Sequence, residues 1–197
     1  MSIARRAAIG CIAAGAALAA AQPAAAASKE EIDSRSALAV KEMYANVPGA
    51  EELHERARGL LIMPNVVKGG LIVGGAYGEG KLLVPAAEGV APEPGGVPGH
   101  VTAGYYSVAA ASFGFQAGVQ TTKQALFFMT DAALRKFRGS QGWEVGADAE
   151  VTFPGDGLSA QLNTTTGTAP VIAVVFGQDG LLAGASLEGA RYTPIER

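Results

Sequence analysis

Cysteine is almost missing from this chain: Cys11 is the only one in 197 residues. No disulfide can form within one copy, and no cluster of thiolates can hold a metal. Histidine is nearly as scarce. His54 and His100 are the only two, far apart and outside any metal-ligand spacing. No cofactor or metal is therefore expected. Past residue 27 there is no apolar run of the ~18 residues that a membrane-spanning helix needs. An excess of basic residues is lacking too, since 15 Lys and Arg stand against 18 Asp and Glu. That balance argues against nucleic acid as a partner.

What is present starts with an address. Arg5-Arg6 precede an alanine-rich apolar stretch, Ala7–Ala21, which Pro23 breaks. Ala25-Ala26-Ala27 then offers a small-x-small cleavage site ahead of Ser28. Residues 1–27 read as an export signal, and the product is expected to be periplasmic or secreted. The residues flanking Arg5-Arg6 fit twin-arginine export poorly, so the general secretory route is favoured. Gly10-Cys11 hints at a lipoprotein anchor, but ten residues leave little room for the apolar region before it. Cys11 is expected to leave with the signal. Removing residues 1–27 takes away two bases and no acid, leaving 170 residues with net charge −5. One domain, 28–197, is the default for that length.

Ser28–Val47 reads as an amphipathic helix, with Ile32, Ala39, Val40, Met43, Tyr44 and Val47 on one side. Its Lys29, Arg35 and Lys41 are outnumbered by Glu30, Glu31, Asp33 and Glu42, so it lacks the basic surplus that draws a helix to anionic lipid. Packing on its own core is the expected role. Ala50–Arg58 is a short second helix with Gly59 at its C-terminal cap. His54, on that charged helix, is expected to be solvated, and His100 to lie in a loop.

Gly59–Lys81 is the expected nucleus of the sheet. Leu60–Met63 forms a strand that meets a turn at Pro64-Asn65, and Leu71-Ile72-Val73 forms a second. Glycine in strands costs backbone entropy and is tolerated where another backbone or a ligand comes close. Residues 85–99, rich in Pro and Gly, read as an exposed mobile loop. Val101–Thr122 gives one or two strands and Gln124–Met129 a buried one. A helix over Asp131–Arg138 is capped by Thr130 or Asp131. Strands follow from Trp143 to Phe153, over Ala160–Thr166 at an edge, over Val171–Phe176, and over Leu181–Tyr192. The expected class is α+β: a compact, Gly/Ala-rich, mostly antiparallel and strongly curved or barrel-like sheet, with an N-terminal amphipathic helix and two short helices.

Three motifs imitate sites of chemistry. Gly75–Lys81 has P-loop spacing, but Leu82 stands where Ser or Thr must bind Mg²⁺. Ala110–Gly114 around Ser112 imitates a nucleophile elbow without a histidine and acid to serve it. Asn163-Thr164-Thr165 is a glycosylation sequon by pattern alone. No catalytic residue is assigned, and the protein is not expected to be an enzyme. Trp143 reads as core, and Lys68 either contacts a phosphate or keeps a turn wet.

Five blocks in one order carry a family likeness: LLIMPNVVKGGLIVGGAYGEG, GYYSVAAASFGFQAGVQ, ALFFMTDAALRKF, GWEVGADAEV and VVFGQDGLLAGASLEGARYT. Together they resemble the SYLF domain family from about Ser28 to Arg197. The resemblance implies a non-catalytic, phospholipid-binding domain of the bacterial cell envelope, with the N-terminal helix at the membrane. It suggests acyl-chain contacts through Ile32, Met43 and Tyr44, and phosphate contacts through Lys29, Arg35, Lys41 and Lys68. Eukaryotic members bind phosphoinositides and some act on actin beside SH3 or FYVE modules. Neither module is present, and no actin partner is expected. The alternative is an envelope module that docks a protein without binding lipid.

Overall fold

The computed structural model describes residues 26–70, 73–87, 89–91, 96–113, 118–148, 151–152, 169–177, 180–181, 187 and 189–197. Ser28 opens helix α1 (Lys29–Asn46), its Oγ accepting from the Glu31 amide at 3.2 Å. Glu30 and Glu31 then sit in the first turn, where the helix dipole favours negative charge. Helix α2 (Ala50–Arg56) follows, and Gly59 begins the first strand instead of capping the helix. Thr130 caps α3 (Asp131–Gly139) through a bond from the Ala133 amide.

The strands are β1 (Gly59–Gly70), β2 (Val73–Pro85), β3 (His100–Phe113), β4 (Gly118–Phe128), β5 (Trp143–Glu144), β6 (Val151–Thr152), β7 (Val171–Gly177), β8 (Gly180–Leu181) and β9 (Arg191–Ile195). Among the described residues they form one sheet in the order β5-β9-β3-β2-β1-β4-β7-β6, with β8 on β7. Every pairing is antiparallel except β6 with β7. The sheet curls into a half-barrel, as the α+β reading expects.

Its central strand corrects one expectation. Pro64-Asn65 is no turn: β1 runs straight through it to Gly70. The β1 register slips by one residue against both neighbours there, between Ile62 and Asn65 facing β2 and between Met63 and Val66 facing β4. This is a β-bulge. A proline lacks the N–H that a central strand must donate, so a bulge is where it can stay. Leu71 and Ile72, read above as strand, lie outside the described residues, as do Ala160–Thr166 and 114–117. Of the strand expected over Trp143–Phe153 the described residues show β5 and β6, and of that over Leu181–Tyr192 they show β8 and the start of β9.

Both faces of the sheet are covered. On one, α1 and α2 bury Val40, Met43 and Leu53 against Leu60, Ile62, Phe127 and Ile172. On the other, Phe137 of α3 meets Tyr106, Phe128 and Trp143, with ring centroids 4.7, 4.7 and 5.5 Å away. Trp143 is core, as expected. Each fully buried large apolar side chain contributes about 1.5–3 kcal/mol. The loop after β2 is exposed at Pro85, Ala87 and Val90, yet Val97 dips into the helix-side core. Among the described residues no helix is long and apolar enough to cross a membrane.

Candidate functional site

Beyond the bulge, the outer halves of β1 and β2 run past the core and under the first turns of α1. A cleft of about 730 Å³ opens between them. Ile32 and Arg35 of α1 form one wall. Pro64, Val67, Tyr77 and Glu79 form the other, and Ala26-Ala27 also line the cleft, so cleavage ahead of Ser28 would open it further. The bulge explains the lining. Ile62 faces the helices and Met63 the opposite core, so strict alternation would turn Val67 away from α1. One extra residue reverses the phase and brings Val67 into the cleft. Val67 and Tyr77 remain 41% and 52% exposed, which is unusual for side chains of their size beside an apolar wall.

The deep side of the cleft is polar. Glu79 is buried and fully bonded: its Oε1 accepts from the Tyr77 hydroxyl at 2.7 Å and from Arg197 Nη2 at 2.6 Å. Its Oε2 accepts from the Ala27 amide at 3.0 Å. Two residues along β2, Lys81 is 1% exposed and reaches Asp33 of α1 at 2.9 Å. Asp33 also accepts from Tyr105 at 3.0 Å and from Lys29 at 3.0 Å. Burial alone would raise the Asp33 carboxyl, but the bonds from Lys81, Lys29 and Tyr105 outweigh it and hold the group below its ordinary value.

The residues expected to touch lipid are split up by the fold. Both Ile32 and Arg35 belong to the cleft wall, but only Arg35 is exposed there; Ile32 is buried behind it. Lys29 is committed to Asp33 at its rim. Met43 is sealed in the core and Tyr44 packs against it half-buried, so neither offers a free surface to an acyl chain. Lys41 is exposed farther along α1. Lys68 is exposed next to Val67, and strand alternation places it on the other face of the sheet. Gly75–Lys81, the segment with P-loop spacing, lies wholly within β2.

The sequence reading missed Val67, Glu79 and Lys81. A signal existed: Glu79, Lys81 and Leu83 share one face of β2, so two charges lie in phase with a core residue. Among the described residues no three His, Cys, Asp or Glu side chains are placed to hold a metal ion.

His54 is also corrected. It is 2% exposed, stacked on His100 with ring centroids 4.2 Å apart, and edge-on to Phe127. Its Nδ1 bonds the Tyr44 hydroxyl, while its buried Nε2 has no partner. Burial raises Tyr44 to about 12, helped by Glu51 and Glu55, so the phenol stays protonated. Burial, with His100 adding repulsion, lowers His54 to about 3. The unfolded chain takes up this proton near pH 6.5, whereas the folded protein does not until about pH 3. Stability is therefore complete above pH 6.5 and falls as the solution is acidified, by about 2 kcal/mol at pH 5. Denaturant midpoints at pH 7 and pH 5 measure the loss. His54→Gln keeps a hydrogen-bonding group for Tyr44 but cannot titrate, and it should flatten that part of the profile.

Residues 109–196 match the family model Ysc84, described as Las17-binding protein actin regulator. No curated protein matches the chain. The matched segment runs from the outer end of β3 through β9, and every residue that lines the cleft precedes it.

Proposed function

We propose that this chain, whose residues 109–196 match the SYLF (Ysc84) family model, is a non-catalytic phospholipid-binding protein of the bacterial cell envelope, with the cleft beneath α1 as its lipid site. The family is associated with lipid binding and actin regulation, and the lipid half of that association supports this reading. The observation that carries the reading is the cleft: its volume suits part of an acyl chain, its walls are largely apolar, and a cation stands at its mouth. Arg35, among the residues named from the resemblance, supplies a cationic contact; Ile32 backs the wall but is 1% exposed, so like Met43 it presents almost no surface. Val67 and Tyr77 take the place of Met43 and Tyr44 as apolar partners.

The test is direct. Protein expressed from the full sequence is purified, its N-terminus is defined by intact mass, and its organic extract is searched for lipid by mass spectrometry. A stoichiometric phospholipid is expected, together with flotation on phospholipid vesicles. Val67→Asp puts a charge on the cleft wall and should weaken flotation about tenfold or more while leaving the fold intact, since Val67 is already partly exposed. Unchanged flotation in Val67→Asp would move lipid contact away from the cleft. No extractable lipid and no flotation would overturn the reading.

A further inference from the structure

The charges around the cleft are balanced, and this bears on which lipid head they take. Three charged side chains line it: Glu31, Arg35 and Glu79. Arg35 Nη2 lies 2.6 Å from Glu31 Oε1, with the two side chains 49% and 43% exposed. Glu79 is neutralised by Arg197 behind it. Lys29 and Lys81 stand nearby, but both are engaged by Asp33 and neither lines the cleft. The mouth therefore presents a cation and an anion side by side.

A lipid head with only negative charge would take Arg35 and leave Glu31 facing it without a partner. A head carrying both charges exchanges one ion pair for two: its phosphate takes the Arg35 guanidinium in a bidentate contact, and its cation takes the Glu31 carboxylate. The cation should carry N–H groups, because a carboxylate at this spacing rewards donors, and a quaternary ammonium has none. We propose that the cleft selects a zwitterionic aminophospholipid, a diacyl lipid whose head bears a phosphate and a primary ammonium, read by Arg35 and Glu31 respectively. This rests on the lipid-binding reading above and adds the chemistry of the head.

Flotation of the purified protein tests it with three vesicles: phosphatidylcholine alone, and the same doped with phosphatidylethanolamine or with phosphatidylglycerol. Binding to the ethanolamine lipid should exceed binding to either other vesicle by about tenfold, the worth of one charge-assisted hydrogen bond. Glu31→Gln and Arg35→Gln sit on the solvated side of α1 and should fold normally, as circular dichroism would report. Each should erase the preference while the apolar walls retain residual binding. Equal or tighter binding to phosphatidylglycerol, or a preference that survives both substitutions, overturns the head-group inference and leaves the lipid reading standing. Failure to float with any of the three overturns the lipid reading itself, and this inference with it.

Discussion

Asp33→Ala is expected to destabilise the protein by about 3–5 kcal/mol, because it strands a buried cation. Lys81 is 1% exposed, and its ammonium has Asp33 at 2.9 Å as its ion-pair partner. With the carboxylate gone, the Tyr105 hydroxyl, which now donates to Asp33 and whose residue pairs with Lys81 in the β2–β3 register, is freed to turn its oxygen toward the amine. That is one neutral bond in place of a charged one. For a chain of this length the loss corresponds to a fall in Tm of roughly 10 °C. Lys81→Met should cost less, because the Asp33 left behind keeps Lys29 and Tyr105 and is partly hydrated. The double change, Asp33→Leu with Lys81→Met, should recover most of the single-variant loss, since a buried pair is often replaceable by apolar groups of similar volume. Equilibrium denaturation of the three variants decides it. A loss below about 1 kcal/mol in Asp33→Ala would mean that the Lys81 amine reaches water after all.

This pair shows what the amino-acid sequence discloses and what it withholds. Helix α1 was legible from its apolar spacing, as were α3 from Thr130 and the buried run of β7. Each of those signals is local. Asp33 and Lys81 are 48 positions apart, and no local pattern joins them. Read one at a time, the first is a helix-terminal acid and the second the end of an imitation P-loop. His54 misled for the same reason. It sits among Glu51, Glu52, Glu55 and Arg56, which does suggest a wet helix, but the chain returns His100 to its open side and Phe127 to its edge. Pro64-Asn65 carried the turn signal in full and still lies within a strand, because β2 and β4 both accept the extra residue at the same level. The cleft depends on that event. Its strand wall could be inferred only after the phase reversal at the bulge was known.

Gly80→Ala is expected to be among the most damaging single-methyl additions in the protein, at about 3 kcal/mol or more. Gly80 faces the β1 bulge, where the backbone of the neighbouring strand swings inward. A Cβ at Gly80 would lie 2.1 Å from the Ile62 carbonyl oxygen and 2.7 Å from Met63 Sδ. The sulfur can turn aside. The carbonyl cannot, since Ile62 is fixed in register with Lys81 on one side and Ala125 on the other. Relief requires β1 and β2 to part, which weakens their ladder and draws Lys81 away from Asp33. Gly75→Ala, in the same strand, is the matched control: its nearest contact would be the Ala110 oxygen at 3.6 Å, an ordinary distance. It should fall within about 1 kcal/mol of the parent, because fewer unfolded conformations compensate for the added methyl. Soluble yield and denaturant midpoints of the two variants, measured side by side, separate close backbone approach from a general intolerance of side chains in this strand. If Gly80→Ala matched Gly75→Ala, the inward swing at Pro64 would be soft, and the wall of the cleft that depends on it would have no fixed shape with which to select a ligand.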